Sequence, residues 1–171
     1  MLKSRAIACF LAVAATNALA DPSPYRGHEH DAIKALSPQQ TQDYLDGKGM
    51  GYAKAAELNH FPGPAHVLEL AEQLRLTGEQ RDVTVRLMKA HRAEAQAIGA
   101  KRVEAERALE MLFRSASIDE AALDRAVRHA AALEGEYRLA HLETHRRMRS
   151  LLTAEQVALY DRLRGYVAAA R

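Results

Sequence analysis

His141, His145 and Met148 form the spacing in this 171-residue chain best suited to chemistry. On a helix, residues four apart share one face, so both imidazoles project the same way and Met148 can join them. Neutral imidazole and thioether groups suit zinc, copper, nickel or cobalt. A polar stripe on an arginine-rich helix, satisfied by Glu94, Glu143 or water, accounts for the same residues without any metal. His60 and His66 flank "FPGP", a setting for loop and cap histidines, and His28 and His30 form "HEH" near the amino end. Catalytic chemistry has little to draw on. The chain has one cysteine, Cys9, and no GxSxG, HExxH or phosphate-binding loop. Its carboxylates alternate with Arg and Lys at helical spacing, as in Glu104 and Arg107, which describes solvated faces. No catalytic residue is assigned, and the expectation is a protein that is not an enzyme.

The elements that must position these side chains are helices. All five prolines lie at or before Pro64, only four glycines follow, and no segment alternates as a strand would. Helix starts are written as capping boxes, a Ser or Thr followed three residues later by Gln or Glu. "LTGEQ" at 76–80, "LTAEQ" at 152–156 and the looser "LSPQQ" at 36–40 share this form, and Ser117 with Glu120 makes another. From Thr77 to about Arg114 nothing interrupts a helix, and a second runs from Ile118 to about Ser150. At 1.5 Å per residue the first spans roughly 57 Å. Shorter helices are expected over Ser37–Asp46, Tyr52–Asn59, His66–Leu74 and from Thr153 to near Arg171.

Two long helices joined by a short loop make an antiparallel hairpin. With the turn at 116–117, facing residues sum to about 233, which sets His91 across from His141. The first arm's inner stripe then reads Met88, His91, Ala95, Ile98, Ala105, Leu109 and Leu112. The second reads Leu123, Val127, Ala130, Tyr137, His141 and Met148. Gly99 falls opposite Gly135, and His129 lies on the outer face toward Glu104. The candidate metal set is thus His91, His141, His145 and Met148, whereas Met1 and Met50 lie outside the hairpin.

Residues 1–20 read as a secretory signal peptide: Lys3 and Arg5, an apolar run, then "ALA" before Asp21. Cleavage after Ala20 removes Cys9 and leaves no thiol, disulfide or lipid anchor. The whole chain has 24 basic and 22 acidic residues, so losing Lys3 and Arg5 leaves 22 of each. A formally neutral product is no nucleic-acid binder by charge. The mature chain divides into a mobile leader at 21–35, a short-helix extension at 36–64 and a helical-hairpin domain at 65–171.

The signal peptide, the all-α reading and LTxxQ at both ends of one hairpin resemble the Spy/CpxP family of periplasmic proteins, over about residues 65–166. They also resemble the related periplasmic metal-resistance proteins, both zinc-associated and CnrX-type. The resemblance implies a cradle-like hairpin, usually an antiparallel homodimer, with Leu76, Thr77, Gln80, Leu152, Thr153 and Gln156 as a structural clasp. It implies an ATP-independent chaperone or envelope-stress adaptor in the periplasm. Its partners would be partly unfolded proteins or a membrane-bound regulator, and it would require no cofactor. The alternative is a metal-binding resistance or sensor protein. The CnrX-type ligand positions correspond here to Val67, Ala71, Thr144 and Met148, so only Met148 matches that pattern.

Overall fold

The computed structural model describes residues 21–115 and 118–166. Residues 21–30 form turns in a unit of their own, and the unit from Asp31 onward carries the regular structure. Its elements are α1 (Pro38–Leu45), α2 (Lys54–Glu57), α3 (Pro64–Glu69), α4 (Gly78–Arg114), α5 (Glu120–Leu151) and α6 (Ala154–Leu163). No strand occurs among the described residues. The signal-peptide reading, the loop at 116–117 and the expected end of the last helix lie outside them. The span 31–35, read from sequence as the end of a mobile leader, is packed here: Ile33 is buried and Lys34 pairs with Glu110.

The two long helices pack as the hairpin, and three local rules set their bounds. Helix α4 starts at the Thr77 capping box. Helix α5 starts later than the Ser117–Glu120 reading: its N-cap is Asp119, whose carboxylate accepts from the Ala121 N–H at 3.2 Å. Helix α6 stops at Leu163 instead of continuing toward Arg171. Gly165 takes φ +74°, and the N–H groups of Gly165 and Tyr166 donate back to Arg162 and Asp161. That Schellman arrangement satisfies the terminal carbonyls and turns the chain away.

The repeated motif is more than three caps. Thr77 and Thr153 each accept from the N–H of their own Gln, at 3.1 and 3.2 Å. Each Gln Oε1 accepts in return from its threonine's N–H, at 3.1 and 2.9 Å. A threonine cap of this kind contributes about 1 kcal/mol. The two amides then meet: Gln80 Nε2 donates to Gln156 Oε1, and Gln156 Nε2 donates to Gln80 Oε1, both at 2.9 Å. Their second amide protons go to Leu151 O at 3.0 Å and Leu74 O at 3.2 Å. Both donors and both acceptor positions of each amide are used. The third copy, Ser37 with Gln40, forms the capping box and starts α1.

Apolar packing forms two larger clusters along the hairpin and a small third one of Ala105, Ala130 and Leu133. Beside the clasp, Val67, Leu74, Met148, Leu152, Val157 and Tyr160 form one cluster. Further up, Ile33, Leu36, Tyr44, Ala95, Val103 and Tyr137 form another, built on edge-on contacts of Tyr137 with Tyr44 and Tyr52. The inner stripe thins toward the turn. Leu109, Leu112 and Leu123 are only half-buried and Val127 is exposed, because no short helix covers that end.

The expected pairing of Gly99 with Gly135 is not what forms. Gly99 is buried beneath α1, where an added Cβ would stand 2.0 Å from the Tyr44 carbonyl oxygen. Gly135 is exposed, with nothing near its missing side chain. Glycine at 99 lets α1 seat its last turn directly on α4, so the register rule fails locally in favour of a third helix.

Two measurements follow from this architecture. Gln80→Glu or Gln156→Glu keeps a capping-box acceptor but loses the amide donors, so each should cost about 1–3 kcal/mol in urea unfolding. Gln40→Glu, outside the clasp, should stay within about 0.5 kcal/mol. Equal tolerance at all three sites would mean that the motif only caps. Gly99→Ala should destabilise by about 1–3 kcal/mol through overpacking. Gly135→Ala should stabilise by roughly 0.5–1 kcal/mol, and the reverse order would refute the seating of α1 on Gly99.

Candidate functional site

Between the two apolar clusters, a cavity of about 730 Å³ opens among α4, α5 and the 47–66 segment. The order of residues along each long helix puts it there. On α4, Met88 and His91 fall between Leu87 of the lower cluster and Ala95 of the upper; on α5, His141 and His145 fall between Tyr137 and Met148. Each histidine occupies an inward position that a core of leucines would otherwise fill.

The 47–66 segment forms the opposite wall, with Gly47, Met50, Gly51 and Gly63 among its lining residues. Tyr137 holds the segment by donating its hydroxyl to Lys48 O at 2.6 Å, and the Tyr44 and Tyr52 hydroxyls meet at 2.7 Å. Met50 takes φ +45°, an uncommon conformation for a residue with a side chain, which the surrounding tyrosines fix. Gly63 passes against His145, where a Cβ would come within 2.9 Å of the ring. Glu57 ties this wall to the end of the chain. It accepts from Gly63 N at 3.1 Å and from the hydroxyls of Tyr160 and Tyr166.

The register places His91 and His141 as the sequence suggests. Their rings stand edge to face with centroids 4.5 Å apart. His141 is 3% exposed, and its Nδ1 lies 2.9 Å from Tyr137 O, a partner that fixes Nδ1 as the protonated nitrogen. Nε2 is buried with no partner at full hydrogen-bond geometry, and the nearby Gly47 and Lys48 carbonyls favour the protonated ring, against the larger effect of burial. His145 repeats the pattern, with Nδ1 2.8 Å from Phe61 O. His91 Nδ1 is buried with no partner.

Of the remaining residues singled out in the sequence, His66 lies at the cavity's edge and the others go elsewhere. Met148 is fully buried in the lower cluster and does not line the cavity, because its neighbours Val67, Leu74 and Tyr160 pack around it. Met88 and Met50 line the cavity instead. His60 pairs with the buried Asp161 at 2.7 Å, His66 pairs with Glu69 at 2.9 Å, and His129 is exposed. Sequence reading missed Met50 and Glu57, which enter through the fold-back of the extension. The glycine-rich "GKGMG" was the signal that this segment turns sharply. Among the described residues, no three His, Cys, Asp or Glu side chains form a metal-ligand cluster.

Burial governs the protonation of the ring pair. Desolvation, with His141 and His145 close by, pushes the His91 pKa down to about 4, and desolvation lowers that of His141. A histidine held neutral in the fold but titrating near 6.5 when unfolded favours unfolding as pH falls through that interval. The stability is complete above about 6.5 and is lost toward pH 4. Urea unfolding from pH 7.5 to 4.5 should show this loss, and His91→Leu should flatten it. An unchanged slope in that variant would place the acid sensitivity elsewhere.

A family model described as LTXXQ motif family protein matches residues 65–164. No curated protein and no solved structure matches the chain. The match takes in the hairpin, α6 and both halves of the clasp, and leaves most of the 47–66 wall of the cavity ahead of it. By this match and by the two motifs joined at the foot of one hairpin, the chain belongs to the LTXXQ motif family.

Proposed function

We propose that the protein is a periplasmic, Spy/CpxP-like, ATP-independent chaperone that holds partly unfolded chains. The observation that carries this reading is the exposure of large apolar side chains toward the hairpin's turn. Met111, Phe113 and Val127 are 56%, 58% and 48% exposed there, beside the exposed cations Arg107, Arg114 and Arg128. Apolar area of this kind gains about 25 cal/mol for each Å² covered, enough over a small patch for weak and reversible holding. The arginines, each paired with a carboxylate on its own helix (Glu104, Glu110 and Asp124), keep this surface hydrated. No helix among the described residues is long and apolar enough to cross a membrane. Export rests on the signal-peptide reading of residues 1–20, and the homodimer rests on the family resemblance.

The purified protein should slow aggregation of a reduced or heat-denatured client at near-stoichiometric ratios without nucleotide. Met111→Ser with Phe113→Ser should weaken this while leaving the melting temperature near that of the parent, since both side chains are exposed. Failure to protect three unrelated clients at several-fold excess would overturn the proposal.

A further inference from the structure

We propose that the cavity between α4, α5 and the 47–66 segment binds a small organic anion, an apolar body with a carboxylate at one end and a hydroxyl group at the other. The carboxylate meets Lys54 and Arg92 at the cavity's mouth, and the hydroxyl donates to the buried His141 imidazole. The site is separate from the exposed side chains near the hairpin's turn.

The walls set the body of the ligand. At about 730 Å³ the cavity is within the size range of small-molecule sites. Met50, Ala53, Leu58, Pro64 and Met88 give it a largely apolar lining. The two methionines can adjust to a guest, and their thioethers make favourable contacts with an aromatic ring.

The charges at the mouth set the sign. Four Lys or Arg side chains line the cavity, against the carboxylates of Asp46 and Glu57. Lys48 is engaged by Asp43 at 2.9 Å and lies 3.9 Å from Asp46, and Arg164 lies 3.8 Å from Glu57. Glu57 also accepts from Gly63 N and from the Tyr160 and Tyr166 hydroxyls, with His145 3.5 Å away, and His66 is taken by Glu69. Lys54 and Arg92 are exposed and form no ion pair among the described residues. The mouth therefore carries two uncompensated cations, which attract an anion.

One buried group sets the far end. His141 is 3% exposed, its Nδ1 faces Tyr137 O, and its Nε2 has no partner. With the proton on Nδ1, Nε2 is an acceptor, and a hydroxyl supplies the donor it lacks. The His91 ring, whose Nδ1 is also unpartnered, stands beside it. A plain packing gap would be walled by apolar side chains, with no stranded imidazole nitrogen inside and no unpaired cations at its rim.

The test uses 4-hydroxycinnamate as probe, with cinnamate lacking the hydroxyl and methyl 4-hydroxycinnamate lacking the charge. Binding is read by NMR on the purified full chain carrying carbon-13 methionine methyl groups. The Met50 and Met88 methyl signals should shift and saturate with a dissociation constant of about 1 mM or tighter, while Met111, exposed near the turn, should not move. Cinnamate and the ester should each bind roughly 3–10-fold more weakly. Lys54→Gln with Arg92→Gln should lower the affinity for the acid by roughly the same factor and remove its advantage over the ester, with the melting temperature unchanged because both side chains are exposed. Lys101→Gln with Arg125→Gln removes the same charge outside the cavity lining and should bind as the parent does. His141→Leu should bind 4-hydroxycinnamate and cinnamate alike; the parent's preference between them tests the hydroxyl even if that variant fails to fold. Shifts absent at several millimolar probe or confined to Met111, an ester or a cinnamate as tight as the hydroxy acid, or equal loss in the Lys101 and Arg125 pair would each overturn the site.

Discussion

The reciprocal amide pair of Gln80 and Gln156 is the constraint on which the hairpin's lower end depends. A long two-helix hairpin has little to stop its open end from splaying, since each arm gains most of its hydrogen bonds internally. The amide pair connects the start of α4 to the junction of α5 and α6, and each glutamine also takes a carbonyl from the opposite strand of chain. The apolar cluster of Val67, Leu74, Met148, Leu152, Val157 and Tyr160 packs around this junction. The register of the arms, and with it the meeting of His91 and His141, is referred to that closed end.

Above the clasp the two faces of the hairpin differ in cover. The extension lies over the middle, where Tyr44, Tyr52 and Tyr137 make a knot of rings and hydroxyls and Arg102 stands 5.8 Å over the Tyr44 ring. Arg102 is itself buried and paired with Glu106 one turn on, so the helix surface under α1 carries a charge pair, while the Arg102 Nε stays buried without a partner. Beyond Val103 the cover thins to residues 31–34, where Lys34 meets Glu110 and Asp31 O accepts from Arg114, and the core between the arms is Ala105, Ala130 and Leu133. One molecule thus has a locked base, a roofed middle and a thinly covered tip.

Much of this was legible in the sequence because it is local. Capping boxes and the absence of proline place α4 within a residue of its observed start, and counting from the turn brings His91 to His141. The failures have a common origin in contacts between distant segments. Gly99 reads as half of a glycine pair, but the close approach it permits is to Tyr44, more than fifty residues earlier. Met148 has the spacing of a ligand, yet its position along α5 carries it into the lower cluster, and Met50, excluded as lying outside the hairpin, returns to the cavity wall. Periodicity describes which residues share a face. It does not say which faces a folded-back segment will cover.

The separation in sequence between the parts of the clasp has a consequence for the order of assembly. Gln80 and Gln156 are 76 residues apart, and Glu57 meets Tyr160 across 103. Loop-closure entropy opposes such contacts until the intervening chain is already folded, whereas the hairpin can zip from its turn through near neighbours. The extension is synthesised first but finds its partners, Tyr137, His145 and Tyr160, only when the last part of the chain exists. Its contacts with α4, at Ala95, Gly99 and Val103, need only the first arm of the hairpin. A polypeptide wired in this way can seat its extension on the first arm early, but its base stays open until the final helices have emerged.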